Sequence, residues 1–351
     1  MLIVFHISGH GLGHASRDIE LIETILQRTT DLKIVVRTSV ASWVFDRIRG
    51  PRVEVTACET DPGVVQIDSL RLDEDETARR AASFYRDFNQ RVRDEAEVLR
   101  GIGPSLVIAD VPPLAIAAAR AVDVPSVLLS NFTWDWIYAY YPQFASLAPG
   151  VVETIADGYR HATLALRLPI AGGFEPVAHV TEDIPFIARQ SDRPRADTRQ
   201  ALGLNDHRLM VLASFGGYGL DLPYERIAAA GLDVLSPARH PPSGLKYEDL
   251  VAAADVVVSK PGYGIVSECV ANRTPLLFTS RGRFAEYDVM LAEMPRMLRC
   301  RFIEQDDLLG GNWRASIDAL LAQPAPAAYP PVNGADIAAE KILDLARAQG
   351  L

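Results

Sequence analysis

Residues 255–278 read DVVVSKPGYGIVSECVANRTPLLF, and the order of events in this stretch decides the fold. A valine run too short for a helix turns at Lys260-Pro261-Gly262-Tyr263-Gly264, and a helical pattern carrying Glu268 follows. A second apolar run then closes the unit. Strand, glycine turn, helix and strand make a βαβ unit, which requires a parallel sheet. The turn aims main-chain N–H groups and the positive helix end at one point, a seat for a phosphate. Glu268 is placed to reach the paired hydroxyls of a ribose. A plainer reading makes Glu268 a complement to the helix dipole, but it leaves Gly262 and Gly264 unexplained.

The same alternation extends in both directions. Downstream of a midpoint, strands are predicted at 208–213, 233–236, 255–259, 275–279 and 301–304. Upstream they are predicted at 2–7, 33–38, 53–56, 105–109, 125–130 and 162–168, with helical patterns at 15–27, 41–49, 74–99 and 114–121. The charged stretch 73–100 reads as one long surface helix. Its opening DEDE suits the positive end of a solvated helix better than a metal site. A polar Pro- and Gly-containing region at 169–176 reads as the interdomain connection. The predicted organisation is α/β, with two Rossmann-like doubly wound domains, 1–170 and 171–333, facing across a cleft. Residues 334–351 carry a last helix that packs back on the first domain, after an extended Pro/Ala-rich segment at 323–331.

Bulk properties narrow the function. The 45 acidic against 35 basic residues, a net charge of -10, argue against a nucleic-acid footprint, which needs clustered Lys and Arg. The three cysteines, Cys58, Cys269 and Cys300, show no metal-type spacing and no disulfide framework, so a reducing, cytoplasmic setting is expected. The opening MLIVFHISGHG is too short an apolar run to span a bilayer, and no integral membrane segment is expected.

A further glycine loop, ISGHGLGHASR at 7–17, follows the first strand and opens a helix. Gly9, Gly11 and Gly13 allow the tight turn, and the free N–H groups beyond them suit an anion or a sugar oxygen. A dinucleotide fingerprint fits poorly, because His14 stands where its third glycine belongs and the second strand ends in Arg37-Thr38 without an acid. His14 lies at the carboxyl end of a strand, where open α/β sheets bind ligands, and an imidazole there suits general-base work. A cap or core histidine is the other reading. Zinc ligation by His6, His10 and His14 is implausible across a strand-to-loop change. Asp110, at another strand end, can orient His14, or can simply form an Asx turn before Pro112-Pro113. In the second half, Ser214-Phe215-Gly216-Gly217-Tyr218-Gly219 is a companion loop for a diphosphate, and Lys260 would stabilise that group as it leaves. Glu286 in RGRFAEY at 281–287 is positioned to accept from sugar hydroxyls, or is a solvated helix-start acid. The aromatic cluster Trp134, Trp136, Tyr138, Tyr140 and Tyr141 offers faces for a pyranose, with at least two members expected in the core. Asp135 and Asn131 are candidate acceptor contacts, with Trp134, Gly11 and Gly13.

Taken together these residues resemble the GT-B glycosyltransferase superfamily. KPGYGIVSE followed by TPLLF is similar to the donor-site signature of the peptidoglycan N-acetylglucosaminyltransferase and of UDP-dependent glucosyltransferases. That resemblance implies that Gly262 and Gly264 hold the diphosphate, Glu268 the ribose, and Glu286 with Tyr287 the sugar. Tyr287 replaces a shorter polar residue of that signature, which leaves the sugar open. GHGLGHASR, Asp110 in VIADVPPLA and the stretch NFTWDWIY from Asn131 resemble the glycosyltransferase-like half of L-arabinokinases. No kinase half follows, and sugar phosphorylation is not expected. The implied activity is transfer of a sugar from a nucleoside-diphosphate sugar, UDP by resemblance, to the hydroxyl of a small-molecule or glycan acceptor. The sugar nucleotide is a co-substrate; no cofactor and no metal are expected, since no DxD-like motif is seen. A nucleotide-sugar hydrolase, an epimerase or a non-catalytic sugar-nucleotide sensor of the same fold are the alternatives.

Overall fold

The computed structural model describes residues 1–204, 207–216, 219–236, 241–242 and 244–348. The first sheet holds β1 (Leu2–Ile7), β2 (Lys33–Thr38), β3 (Val53–Ala57), β4 (Leu106–Asp110), β5 (Ser126–Phe132), β6 (Leu164–Gly172) and β7 (Thr181–Asp183). Their order is β3-β2-β1-β4-β5-β6-β7, and every pairing is parallel. The second sheet holds β8 (Leu209–Ser214), β9 (Leu232–Leu235), β10 (Val256–Ser259), β11 (Leu276–Phe278) and β12 (Cys300–Phe302), ordered β12-β11-β10-β8-β9 and again parallel. β10 is buried on both faces, as an all-apolar run in a helix-covered parallel sheet must be. Strand order reverses between β1 and β4 in one sheet and between β8 and β10 in the other. These are the crevices where doubly wound sheets bind ligands.

Helix Gly13–Arg28 joins the halves. Ile19, Ile22 and Ile25 enter one continuous apolar cluster with Tyr263 and Val266 of helix Tyr263–Ala271 and with Ile342 of the final helix, Gly334–Ala348. A second cluster fills the opposite face of the first sheet, and a third the far face of the second sheet. Arg28 pairs with Asp336 and Arg47 with Glu248, at 2.6 Å, across the same seam.

Two parts of the sequence reading need correction. The single helix predicted over 73–100 is two, Glu74–Arg86 and Phe88–Ile102, meeting at Asp87. Phe84, Tyr85 and Phe88 cluster in the core at this junction. The residues around Pro169 are not the interdomain connection. β6 runs on to Gly172 past an irregularity in its pairing with β5, which is where a proline fits a sheet, and β7 extends the first sheet to Asp183.

One excursion crosses back. Residues 66–72 form a short hairpin closed by Gln66 and Leu72, which leaves the first half and lies on the second. Leu70 sits in the second half's apolar cluster with Phe215 and Leu222. Ser69 Oγ donates to the Phe215 and Gly219 carbonyls at 3.1 and 2.5 Å, and Gly282 N–H donates to Leu70 O at 2.9 Å. No helix among the described residues is long and apolar enough to cross a membrane.

Candidate functional site

A cavity of about 1500 Å³ opens between the carboxyl ends of the two sheets. Its floor is a contact of bare main chain, where a Cβ on Gly264 would stand 3.0 Å from Gly13 Cα. Any side chain at 264 would have to push the Gly13 main chain aside by a few tenths of an ångström, because the obstacle is backbone and cannot rotate away.

The first half contributes a buried polar cluster. His14 Nδ1 lies 2.8 Å from Asp110 Oδ1, and Arg17 clasps the same carboxylate, its Nε 2.6 Å from Oδ2. Arg17 also donates to Asn131 Oδ1 at 2.8 Å, and Asn131 Nδ2 donates to Glu286 at 2.6 Å, so a chain of bonds spans the cleft. Burial pushes the Asp110 carboxyl up, but Arg17 and then His14 outweigh it and hold it well below the usual carboxylate range. Asp61, after β3, lines the cleft and accepts from Ser8 Oγ at 3.0 Å; burial pushes its carboxyl up to about 6 against that bond.

The second half contributes positive charge. Lys260 and Arg281 line the cavity beside Gly262, and neither forms an ion pair with an acid among the described residues. Lys260 Nζ meets the neutral Gln66 amide oxygen at 3.3 Å. Arg281, 7% exposed, donates to the Pro261 carbonyl at 3.1 Å, lies over the Phe284 ring at 4.6 Å and leaves Nε buried without a partner. Burial, then the Arg281 charge, brings the Lys260 ammonium down to about 7, and burial lowers Arg281 itself. Burial and then Arg281 likewise drive the His10 imidazole well below its ordinary value. Two desolvated cations this close want an anion between them.

Glu268 is 4% exposed and lines the cleft, but its carboxylate is already engaged. Ser16 donates to Oε1 at 3.1 Å and Arg189 to the same oxygen at 2.7 Å through Nε. Burial raises this carboxyl and Arg189 opposes the rise. Gly11, Gly13, Gly216, Gly262, Tyr263, Gly264, Glu286 and Asn131 all line the cavity. Gly217 and Tyr218 lie outside the described residues.

Three expected contacts are elsewhere. Trp134 is fully buried behind His10, their rings edge-on at 5.5 Å, and belongs to the core with Tyr138 and Tyr141. Asp135 turns away on the same short helix to a separate cavity of about 570 Å³ with Arg160, Glu175 and His179. Tyr287 packs against the first half's core instead of the cleft, because Glu286, its neighbour on the helix, takes the inward-facing position. The sequence reading gave no part to Arg17, Asp61, Arg189 or Arg281. A signal existed for Arg281, a cation just after a strand end; burial without an acid is visible only in three dimensions.

No known family model matches the chain. The L-arabinokinase of Arabidopsis thaliana is 29% identical over 99% of this chain and 34% of its own length, so the chain spans about a third of that relative. Among solved structures, the calicheamicin glycosyltransferase CalG4 is similar at a TM-score of 0.61, with 17% identity over 99% of this chain and 96% of that one. Arabidopsis thaliana UGT89C1, solved in complex with UDP, has a TM-score of 0.57 and 12% identity over 100% of this chain and 99% of that one. The fold is that of GT-B glycosyltransferases, in agreement with the sequence reading.

Proposed function

We propose that this protein transfers a glycosyl group from a nucleoside-diphosphate sugar to an acceptor hydroxyl, without a metal ion. The observation that carries the reading is the pair of cations, half-buried Lys260 and buried Arg281, which form no ion pair with an acid among the described residues and stand beside the Gly262 turn, on the same cleft as His14. A diphosphate supplies ion-pair partners for both cations, and the main-chain N–H groups opening helix Tyr263–Ala271 complete its cradle. Glu268, fixed by Ser16 and Arg189, lines the same cavity as the turn and is assigned the ribose hydroxyls in this reading. Uridine as the base is supported by the resemblance of KPGYGIVSE to UDP-sugar enzymes and by the UDP complex of a protein with this fold.

In this reading His14 takes the acceptor hydroxyl proton on Nε2 as that oxygen attacks the anomeric carbon. The bond from that carbon to the diphosphate oxygen breaks, and its electron pair leaves with the nucleoside diphosphate. His14 Nδ1 lies near both Asp110 Oδ1 and Arg17 Nη2, at 2.8 and 2.9 Å, and only a proton on Nδ1 directed at Asp110 leaves Nε2 free to accept. Asp110 then stabilises the imidazolium as it forms. Lys260 and Arg281 balance the charge of the departing diphosphate, the place a divalent cation occupies in other transferases.

A thermal-shift panel of nucleoside diphosphates and their sugars tests the donor half of the proposal, because a ligand raises the melting temperature by mass action. UDP and a UDP-sugar are expected to shift it, with EDTA present, more than uridine does. Nucleotide release that needs an acceptor identifies a transferase. Equal release in water alone, an epimerised sugar, or tight binding with no turnover against any acceptor would each overturn the reaction assigned here.

A further inference from the structure

Asp18 stands one turn beyond His14 on the same helix and is fully buried, and neither carboxyl oxygen has a hydrogen-bond partner when it is treated as an acceptor. The group within hydrogen-bonding reach is another carboxyl, that of Asp110. Among the charges facing Asp18, Arg17 is the cation, and its Nε and Nη2 are already spent on Asp110. One guanidinium therefore serves two buried acids. With both ionised, an uncompensated negative charge would lie in a buried site without solvation to offset it. A single proton between the two oxygens turns the repulsion into a bond, as in other buried carboxyl pairs. Burial, then the Asp110 charge, drives the Asp18 carboxyl well above its ordinary range, and Arg17 only partly opposes this. The asymmetry between the acids follows from their partners: Asp110 is hydrogen-bonded to the guanidinium and the imidazole, Asp18 to neither.

We propose that Asp18 stands protonated and donates a hydrogen bond to Asp110, acting as a positioning residue that moderates Asp110's hold on the His14 imidazole. A fully charged Asp110 would hold the imidazolium tightly and make His14 slow to give up a proton; the Asp18 hydroxyl draws off part of that charge. The catalytic use of His14 rests on the transferase reading, whereas the proton on Asp18 does not. The other charged groups that face His14 are Arg17 on its own helix, Asp61 after β3 and His10 in the glycine loop, with Glu286 reaching the cluster through Asn131. Tyr263 covers Arg17 from the second half at 5.1 Å. The remaining charges packed on this helix are engaged elsewhere along it: Glu268 with Ser16 and Arg189, Arg47 with Glu23, and Asp336 with Arg28.

The test compares Asp18→Asn, which keeps a donor of nearly the same shape, with Asp18→Leu, which removes it. The His14 ring is titrated by NMR in the protein without substrate, and the acid limb of the kcat/KM profile is measured alongside. With a protonated Asp18, the Asn variant titrates like the wild type. The Leu variant then moves upward, by about half a pH unit to one unit for the loss of one hydrogen bond to a charged partner. An ionised Asp18 predicts that both variants move downward, since each removes a negative charge, and that result overturns the proposal. Should the Leu variant fail to fold, infrared spectroscopy decides. The wild type is expected to show a protonated-carboxyl C=O band at neutral pH that Asp18→Asn lacks, and absence of that band in the wild type overturns the proposal. The ring titration and the infrared band need no turnover, so a failed search for transfer leaves this test intact.

Discussion

Replacing Arg281 with methionine separates a binding role from a folding role. The guanidinium is 7% exposed, has no acidic partner among the described residues, and keeps one main-chain bond and one ring contact. Two unit charges about 4 Å apart attract by about 4 kcal/mol at the effective dielectric of a partly buried site. A hydrogen bond to a charged group contributes about 1.5–3 kcal/mol net. Loss of this contact to a diphosphate should therefore cost about 2–4 kcal/mol, a 30- to 1000-fold rise in Kd for UDP by the usual exponential relation. The empty protein should respond in the opposite sense. Methionine fills the space without an unpaired buried charge, so the apo melting temperature is expected to stay level or rise. At a UDP concentration of 100 wild-type Kd, the nucleotide stabilises the wild type by about 2.7 kcal/mol, and a 30-fold weaker variant by about 0.9 kcal/mol. Differential scanning calorimetry with UDP and with uridine reads both arms. A variant that binds UDP like the wild type refutes the diphosphate assignment, and one that is strongly destabilised when empty shows Arg281 to be a folding residue.

Other expectations follow from the same geometry. His14→Ala is expected to lower turnover by about two to four decades while leaving UDP affinity within twofold, as loss of a general base does; calorimetric titration beside steady-state rates checks the split. The Lys260 ammonium sits at about 7 when the site is empty, so above that pH an incoming diphosphate must draw a proton onto it. UDP affinity should then rise as the pH falls from 9 to 7, by at most about tenfold per pH unit for one proton, with proton uptake visible in buffers of different ionisation enthalpy. Lys260→Met should flatten that dependence. Glu268→Gln should weaken UDP and leave inorganic pyrophosphate unaffected; equal weakening of both ligands would remove Glu268 from the ribose. Gly264→Ala forces a Cβ against Gly13 Cα at 3.0 Å, and the strain should lower stability by about 1–3 kcal/mol in chemical denaturation.

Much of the fold was legible because its signals are local. Val256–Ser259, the glycines after it and the helix beyond are contiguous, and a parallel sheet follows from them without long-range information. His14 and Asp110 were paired in the sequence because both stand at strand ends, and the sheet order sets β1 beside β4 with the two side chains in contact. What could not be read depends on which way a side chain turns. Trp134, Asp135 and Asn131 are near neighbours, yet one is core, one faces an outer cavity and one faces the cleft. For Trp134 and Asp135 the phase of the helix relative to the sheet decides this, and no spacing within a six-residue helix reveals it. The break at Asp87 was hidden because the surrounding charges suit a helix on either side. Arg189 and the 66–72 hairpin matter through contacts more than seventy residues away in sequence.

The Leu70 peg gives the molecule a resting posture. Swinging the halves apart withdraws a leucine from an apolar socket into water, at about 1.5–3 kcal/mol for the side chain alone. Ser69 and Gly282 must give up their main-chain partners in the same movement. By that side-chain term alone, roughly one molecule in ten to fewer than one in a hundred would be unfastened at any instant. Traffic through the mouth would then be metered by how often one buttoned leucine slips free, on a hairpin whose Gln66 touches Lys260.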